Sequence, residues 1–209
     1  MKRVLLSIVL VLFGIGAFSQ TPLNDKQSRE VMDALIQTAA SMQTLQCRFV
    51  QENTSSMLAE SSLSEGQMVF VAPDKMVWKY LKPYAFALIV NGERIVKESN
   101  GQIEVLDGNS NRMYQGLVSL IMGSATGKNL FDTSMFNVIL YDDDAFWKAE
   151  MTPKRRDMKR MFSQLVFRFD KKTNGISRVE FHGTSGDVTD IRFEDILLNE
   201  AVDDTLFVE

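Results

Sequence analysis

The sequence predicts a mainly β, α+β fold in which about eleven short antiparallel strands form a sandwich or a barrel. Apolar and polar residues alternate over many short segments, and turn signals separate these segments at short intervals. Helical spacing occurs at only two places, near the start of the chain and near its middle. No repeat or low-complexity tract interrupts the pattern, so we expect one domain after the leader.

Residues 1–19 are predicted to be a cleaved secretory signal peptide, followed by a single domain over residues 20–209. Two basic residues open the chain, an apolar run follows up to Phe18, and Ala17 and Ser19 supply the small residues of a cleavage site. The alternative is an uncleaved membrane anchor, but a bilayer crossing needs about 20 apolar residues. We therefore expect a periplasmic protein that is soluble after export.

Charge and cysteine content narrow the possible functions. The chain has 23 basic and 27 acidic residues, and removal of the two basic residues of the leader leaves a net charge of −6. We do not expect the protein to bind nucleic acid, because such binding needs clustered Lys and Arg and the basic residues of this chain are scattered. Cys47 is the only cysteine, so an internal disulfide is impossible. Its place in an alternating segment predicts a small buried hydrophobe instead of a reactive thiol.

The first elements are a helix and then a strand. Apolar residues, among them Leu35, recur at helical spacing over residues 25–42, and Asn24 or Asp25 is placed to cap the helix start. From Leu45 the period changes to two, which indicates a strand.

Ten further strands are predicted over residues 64–71, 75–81, 85–90, 93–98, 102–106, 136–141, 146–152, 162–170, 176–182 and 188–196. Turn residues separate them, and Asn91-Gly92 gives the strongest hairpin signal, with both residues expected at positive φ. Asn100-Gly101 marks another turn. Residues 116–123 form an apolar segment bounded by glycines, which predicts a short mobile helix instead of a core helix.

Catalytic and metal sites find little support in the sequence. The chain has one histidine, so a histidine-rich zinc site is impossible, and no glycine-rich phosphate loop occurs. We expect His182 to be a surface or hydrogen-bonded structural residue. Asp142, Asp143 and Asp144 offer carboxylates to a hard cation, but the spaced ligands of a loop site are missing, so solvated side chains are expected. We predict neither an enzyme nor a cofactor.

Apolar side chains are expected on one face of the predicted sheet. They recur at alternate positions, namely Met68, Phe70, Met76, Trp78, Tyr80, Phe86 and Leu88. An ordinary hydrophobic core is one interpretation. The other is an apolar groove, because one helix and a short segment are too small to cover so large a sheet. Acyl chains suit such a groove, since burial of each CH₂ contributes about 0.8 kcal/mol, and a movable lid would permit release.

Several segments then occur in a recognisable order. They are LQCRFVQ at 45–51, EGQMVF at 65–70, APDKMVWKYLKP at 72–83, IVNGE at 89–93, MTPK at 151–154, FRFD at 167–170, GDVTDIRF at 186–193 and finally Asn199. Together they resemble the outer-membrane lipoprotein carrier family, commonly called LolA-like. The likeness covers nearly all of the mature chain.

The resemblance implies an unclosed barrel whose concave face binds acyl chains, covered by the first helix and a central helical lid. It implies a lipid-binding cavity formed by Leu35, Phe49, Phe70, Met76, Trp78 and Leu88. It implies a lid formed by Leu117, Leu120, Ile121 and Met122. The implied partners are lipoprotein acyl chains or another lipid, an inner-membrane lipoprotein-releasing transporter and an outer-membrane acceptor, with the carrier itself a monomer.

The sequence departs from the family at the third strand, where Ala72 replaces an Arg that latches the lid in many members. The chain also ends soon after Phe207, where better-known members continue with a tail linked to the choice of membrane. One alternative function is a lipid-sensing regulatory module of envelope stress signalling, for which the usual second domain is not recognisable. The other is a hydrolase with two carboxylates distant in sequence.

Overall fold

A computed structural model describes residues 20–57, 60–106 and 131–207. In this part of the chain the strands are β1 (Thr44–Ser55), β2 (Glu60–Val71), β3 (Lys75–Lys82), β4 (Phe86–Asn91), β5 (Arg94–Ser99), β6 (Gln102–Leu106), β7 (Phe136–Asp143), β8 (Phe146–Pro153), β9 (Phe162–Asp170), β10 (Ile176–Gly183) and β11 (Val188–Leu198). The helices are α1 (Asp25–Ser41) and α2 (Arg156–Met161), with a 3-10 turn at Asp204–Phe207. The predicted signal peptide and the predicted lid residues Leu117, Leu120, Ile121 and Met122 lie outside the described residues.

The strands form one antiparallel sheet in the order β6-β5-β4-β3-β2-β1-β11-β10-β9-β8-β7. The strand at each end of this order is an edge, and among the described residues β6 and β7 do not pair with each other. Pairing of β1 with β11 joins the two halves of the chain at the centre of the sheet. The prediction of an unclosed antiparallel barrel of eleven strands is therefore confirmed.

Two hairpins show how closely turn residues define the register. Asn100 and Gly101 have φ of 53° and 72°, as a two-residue type I′ turn requires, and they join β5 to β6. At the other predicted hairpin Asn91 is still in β4, where it pairs with Arg94. The turn residues are thus Gly92 and Glu93, with positive φ only at Gly92. The predicted hairpin is present, but the turn begins one residue later than predicted. The expectation of positive φ at Asn91 is therefore wrong.

Helix α1 begins at a capping box. The side chain of Asn24 accepts hydrogen bonds from the backbone N–H groups of Lys26 and Gln27, and Gln27 Oε1 accepts one from the Asn24 backbone. These contacts satisfy N–H groups that a helix start leaves without partners. The predicted cap is confirmed at Asn24. Leu35 and Ala39 are buried on the face that α1 turns towards the sheet.

Helix α2 was not predicted from the sequence. It has six residues and connects β8 to β9, and no side chain caps its N-terminus. None of its residues is fully buried, although Met158 packs against the main apolar cluster. A helix this short has fewer than two turns, so it leaves no detectable periodicity in the sequence.

One apolar cluster shows that the sheet is curved. It contains buried residues from strands near both ends of the sheet, such as Leu88 of β4 and Leu140 of β7, together with Leu35 of α1. Residues so far apart in the strand order share a cluster only if the sheet bends around them. The face that carries this cluster is therefore the concave face, and α1 packs against it.

The convex face is covered in part by the C-terminal segment. Phe207, in the 3-10 turn, is 3% exposed and packs with Val77, Ile89 and Val96 of the outer face. Asn91 Nδ2 donates a hydrogen bond of 3.2 Å to the Phe207 carbonyl oxygen. This segment therefore adds a second, smaller apolar cluster behind strands β3 to β5.

The edge strand β7 is covered by the residues that precede α1. Pro22 forms an isolated bridge with Tyr141, and the Leu23 backbone N–H donates to the Leu140 carbonyl oxygen at 2.8 Å. Gln20 Nε2 donates to Asp143 Oδ1 at 2.9 Å. A covered edge offers fewer free backbone groups to another chain, which protects the sheet against edge-to-edge association.

Candidate functional site

All six residues predicted for the cavity are buried on the concave face. Their exposed fractions range from 0% to 6%, and the residues are Leu35, Phe49, Phe70, Met76, Trp78 and Leu88. They all belong to the same apolar cluster. The structure thus brings them together on one surface, while their contact with a ligand remains a prediction.

Aromatic rings form the floor of this surface on β1 and β3. Phe49 stacks on Trp78 with ring centroids 4.3 Å apart, and Tyr80 meets Phe49 edge-on at 5.3 Å. Phe193 of β11 lies 6.3 Å from Trp78, also edge-on. Such contacts fix ring orientations, so this floor is a rigid part of the concave face.

The other half of the sheet contributes as much to the concave face, and the sequence did not assign it to the cavity. Its buried residues there are Phe136, Leu140, Ala149, Met151, Leu165, Phe167, Phe169, Val179, Phe181 and Ile191. Phe167 and Phe169 are stacked with centroids 6.3 Å apart, and Phe131 lies 6.0 Å from Phe169. Alternation of apolar residues in β9 was a signal that could have identified these side chains.

A small cleft lies between the C-terminal half of α1 and the sheet. Its volume is about 70 Å³. The apolar residues around it include Leu35, Ala39, Leu45, Phe169 and Ile176. The cleft therefore has room for a short piece of hydrocarbon where α1 meets the sheet.

The opposite end of the concave face carries uncharged polar side chains, which we call the polar ledge: Gln51, Asn53, Ser62, Ser64 and Thr189. Tyr80 Oη donates to Gln51 Oε1 at 2.8 Å. Asn53 Oδ1 accepts from Gln51 Nε2 at 3.1 Å and from Thr189 Oγ1 at 2.9 Å. Burial raises the pKa of Tyr80 although its hydrogen bonds oppose the shift, so its hydroxyl stays a donor.

Charged side chains are concentrated on the convex face of β9 to β11. Arg178 forms two hydrogen bonds of 2.7 and 2.8 Å with Asp190, and Glu180 contacts Arg168. Burial alone would raise the pKa of Glu180, but hydrogen bonds from Arg168 and His182 and the neighbouring guanidinium charges hold that pKa below its ordinary value. This network ties neighbouring strands together and keeps these charges off the concave face.

The residues considered for chemistry have structural partners. His182 Nε2 lies 3.1 Å from Glu180 Oε2, which confirms its prediction as a hydrogen-bonded residue. Cys47 is buried, and desolvation raises the pKa of its thiol to about 12, as expected of a small hydrophobe. Asp142 contacts Lys171, and Asp143 lies 3.6 Å from Arg168, so these two carboxylates form ion pairs instead of being merely solvated.

Among residues 20–57, 60–106 and 131–207, no three His, Cys, Asp or Glu side chains are grouped so that they could share a metal ion. None of the helices in these ranges is long and apolar enough to cross a bilayer.

The outer-membrane lipoprotein carrier protein of Methylobacillus flagellatus is 26% identical over 145 residues, which cover 68% of this chain and 66% of that relative, just under two thirds of its length. An uncharacterised conserved protein from Thermus thermophilus has a similar fold, with a TM-score of 0.55, 10% identity and coverage of 86% of this chain and 92% of that one. A LolA superfamily protein from Nitrosomonas europaea gives a TM-score of 0.46 at 11% identity, covering 87% and 97%.

The family model described as "outer membrane lipoprotein carrier protein LolA" matches residues 40–208, which is most of the chain. The match includes all eleven strands and the polar ledge. The chain therefore belongs to the LolA family of outer membrane lipoprotein carrier proteins.

Proposed function

We propose that this protein is a non-enzymatic periplasmic carrier that holds the acyl chains of lipoproteins, or of a related lipid, and transfers them from the inner to the outer membrane. Membership of the LolA family supports a carrier-like role. The observation that carries the proposal is the continuous apolar cluster on the concave face of an unclosed sheet. In this proposal the concave cluster is the binding surface.

The cavity of the proposed carrier is formed by Leu35, Phe49, Phe70, Met76, Trp78 and Leu88. Rings and thioethers at these positions suit hydrocarbon, because they offer apolar contact and Met adapts to ligands of varied shape. Each buried CH₂ of a ligand contributes about 0.8 kcal/mol, so an acyl chain that is only partly inserted still prefers the protein to water.

Release requires that the bound chain can be uncovered. We propose that Leu117, Leu120, Ile121 and Met122 form a lid over the cavity and that their movement opens it. Because Ala72 occupies the position of the family's latching arginine, the lid is held here by other contacts. Such a lid would contact the acyl chain only when closed, so opening would remove apolar contacts and favour release of the chain.

The proposed route includes secretion by a signal peptide at residues 1–19, with residues 20–209 as a single carrier domain. An inner-membrane lipoprotein-releasing transporter would be the donor and an outer-membrane protein the acceptor. No enzymatic step is required, because transfer moves an intact lipid between apolar surfaces.

The first experiment is native mass spectrometry of the protein purified from its native host. We expect bound lipoprotein or lipid, released on unfolding and identified by its mass. An unliganded protein that also fails to take up an apolar fluorescent dye would contradict the carrier function. A signalling membrane protein recovered with it, in place of lipid, would favour the sensor function.

The second experiment separates a lid from an ordinary core. Leu120→Glu is expected to abolish dye uptake while the far-UV circular dichroism of the sheet is unchanged. Ile139→Glu is the matched control, because Ile139 is 48% exposed on β7 and its replacement should leave uptake intact. Unfolding of Leu120→Glu would instead support a core role, since a charge buried in a core without a partner is strongly destabilising.

A further inference from the structure

The concave face changes from apolar to polar along its central strands. On β1 the side chains facing inwards are Leu45, Cys47 and Phe49, all buried, and then the half-buried Gln51 and Asn53. The paired strand β2 shows the same change, because Met68 and Phe70 lie opposite the apolar half of β1. Ser64 and Ser62 lie opposite Gln51 and Asn53.

The polar ledge is held in place across three strands. Tyr80 of β3, Gln51 and Asn53 of β1 and Thr189 of β11 form one chain of hydrogen bonds. Asn53 Oδ1 accepts two of these bonds, while Asn53 Nδ2 has no acceptor among the described residues. A donor held at the polar end of an apolar face is suited to a ligand oxygen.

The ledge also carries no charge. Two charged neighbours on these strands, Glu52 and Arg192, form an ion pair of 3.2 Å with each other on the convex face. A carboxylate or phosphate bound at the ledge would therefore lack a cation. The complementary group is a neutral acceptor, and ester and amide carbonyls at the base of acyl chains are such acceptors.

The two ends of the concave face differ in access. At the apolar end α1 lies over Leu45, and Leu35 and Ala39 of α1 are buried there. At the polar end Ser62 is exposed and Ser64 is half-buried. In the described part of the chain, one end is thus apolar and covered by α1, while the other is polar and more exposed.

From these contacts we infer that acyl chains bind in one orientation, with their methyl ends towards α1 and their ester or amide carbonyls at the polar ledge, where Asn53 Nδ2 donates the hydrogen bond. This inference rests on the proposed carrier function and adds the direction of the cargo and the residue that recognises its head. The polar part of the cargo then leaves the concave face over the end of β1 that carries Asn53, between Ser62 of β2 and Thr189 of β11.

Orientation is tested by placing a bimane fluorophore on Ser62→Cys or on Thr38→Cys, which lines the cleft under α1. The probes are diacylglycerols brominated either beside the carbonyl or at the chain end. Bromines beside the carbonyl should quench the label at position 62 at least about twofold more than the label at position 38. Bromines at the chain end should quench the label at position 38 more strongly by a similar factor. Cys47 is buried and should stay unlabelled in the unmodified protein.

Equal or reversed quenching would overturn the orientation, whereas no quenching at either position with either lipid would overturn the carrier function itself. The two failures are therefore distinguishable.

The donor is tested with Asn53→Asp, which keeps an oxygen for Gln51 and Thr189 but lacks the amide N–H. The wild type should bind a diacylglycerol more tightly than the dialkyl ether of equal chain length. The variant should lose about fivefold of its affinity for the ester alone, as expected for one neutral hydrogen bond. Asn137→Asp, on an exposed position of β7, is the control and should change neither affinity. Equal loss for ester and ether would overturn the role of Asn53.

Discussion

Phe49 lies across Gly66 on the neighbouring strand, so close that a Cβ atom at Gly66 would be 2.2 Å from Phe49 Cζ. The same Cβ would be 2.3 Å from the backbone oxygen of Lys79. Only a residue without a side chain fits between the aromatic floor and β3. The position of the Phe49 ring therefore depends on this glycine.

Gly66→Ala is expected to destabilise the protein by about 3 kcal/mol, at the upper end of the usual cost of overpacking, because a backbone atom must move as well as a ring. Urea unfolding measures the change in free energy. Gly175→Ala is the control, since its nearest contact is Thr173 Oγ1 at 3.2 Å and its φ is not positive. A Gly66→Ala protein as stable as this control would show that Phe49 does not occupy the described position.

Asp190→Asn is expected to lower the free energy of unfolding by about 1–2 kcal/mol. Asp190 is the one charged residue found buried in the described part of the chain, and it binds Arg178 through both carboxylate oxygens. Hydrogen bonds to charged groups contribute about 1.5–3 kcal/mol, and the partial exposure of Arg178 reduces that value.

Thermal and urea unfolding would both report the Asp190→Asn effect. Glu30→Gln, which removes an exposed ion pair with Lys26, should change stability by less than about 0.5 kcal/mol. If both variants were equally stable, the Arg178 pair would be shown to contribute no more than a surface contact.

Stability is expected to fall in acid partly through Glu180. Its pKa is lowered in the folded state, so the stability it contributes is present above the unfolded value of about 4.3 and is lost as pH falls through the folded pKa. In Glu180→Gln, the decline of unfolding free energy between about pH 5 and pH 3 should be shallower than in the wild type. Urea midpoints measured across this range test the slope, and parallel curves would contradict a lowered pKa.

Phe207→Ala is expected to destabilise the fold without affecting ligand binding. Loss of a buried phenylalanine costs about 3 kcal/mol, and Phe207 lies on the convex face behind β3 to β5. Leu206→Ala is the control, because Leu206 is 43% exposed. Dye affinity measured under native conditions should equal that of the wild type, and a weaker affinity would show coupling between the two faces of the sheet.

The parts of the fold predicted from sequence are those where one face of a strand is buried. In β9, Leu165, Phe167 and Phe169 occupy alternate positions on the buried face, and the sequence predicts this strand at its observed bounds. The predicted β2 began at Ser64, whereas the strand begins at Glu60. Its first residues are exposed on both faces, so no alternation marks them.

The polar ledge was not predicted, because no alternation of apolar and polar residues marks it in the sequence. Gln51 and Asn53 resemble solvated residues in the sequence, and only the pairing with Thr189, more than 130 residues away, gives them a common surface. The cavity residues of β7 to β10 were missed differently. Their strands were predicted, but the sequence does not show that Phe167 and Phe49 share one cluster, because that depends on the curvature of the whole sheet.

The adjacency of β1 and β11 has a consequence for biogenesis. A chain made from its N-terminus presents β1 more than 130 residues before its central partner exists, and closing so long a loop slows folding. Until then the apolar face of the first hairpins lacks the side chains that the C-terminal strands contribute to the cluster. Nascent molecules therefore expose apolar surface, as does the lipid that we propose the folded protein carries. They need protection from aggregation until synthesis is nearly complete.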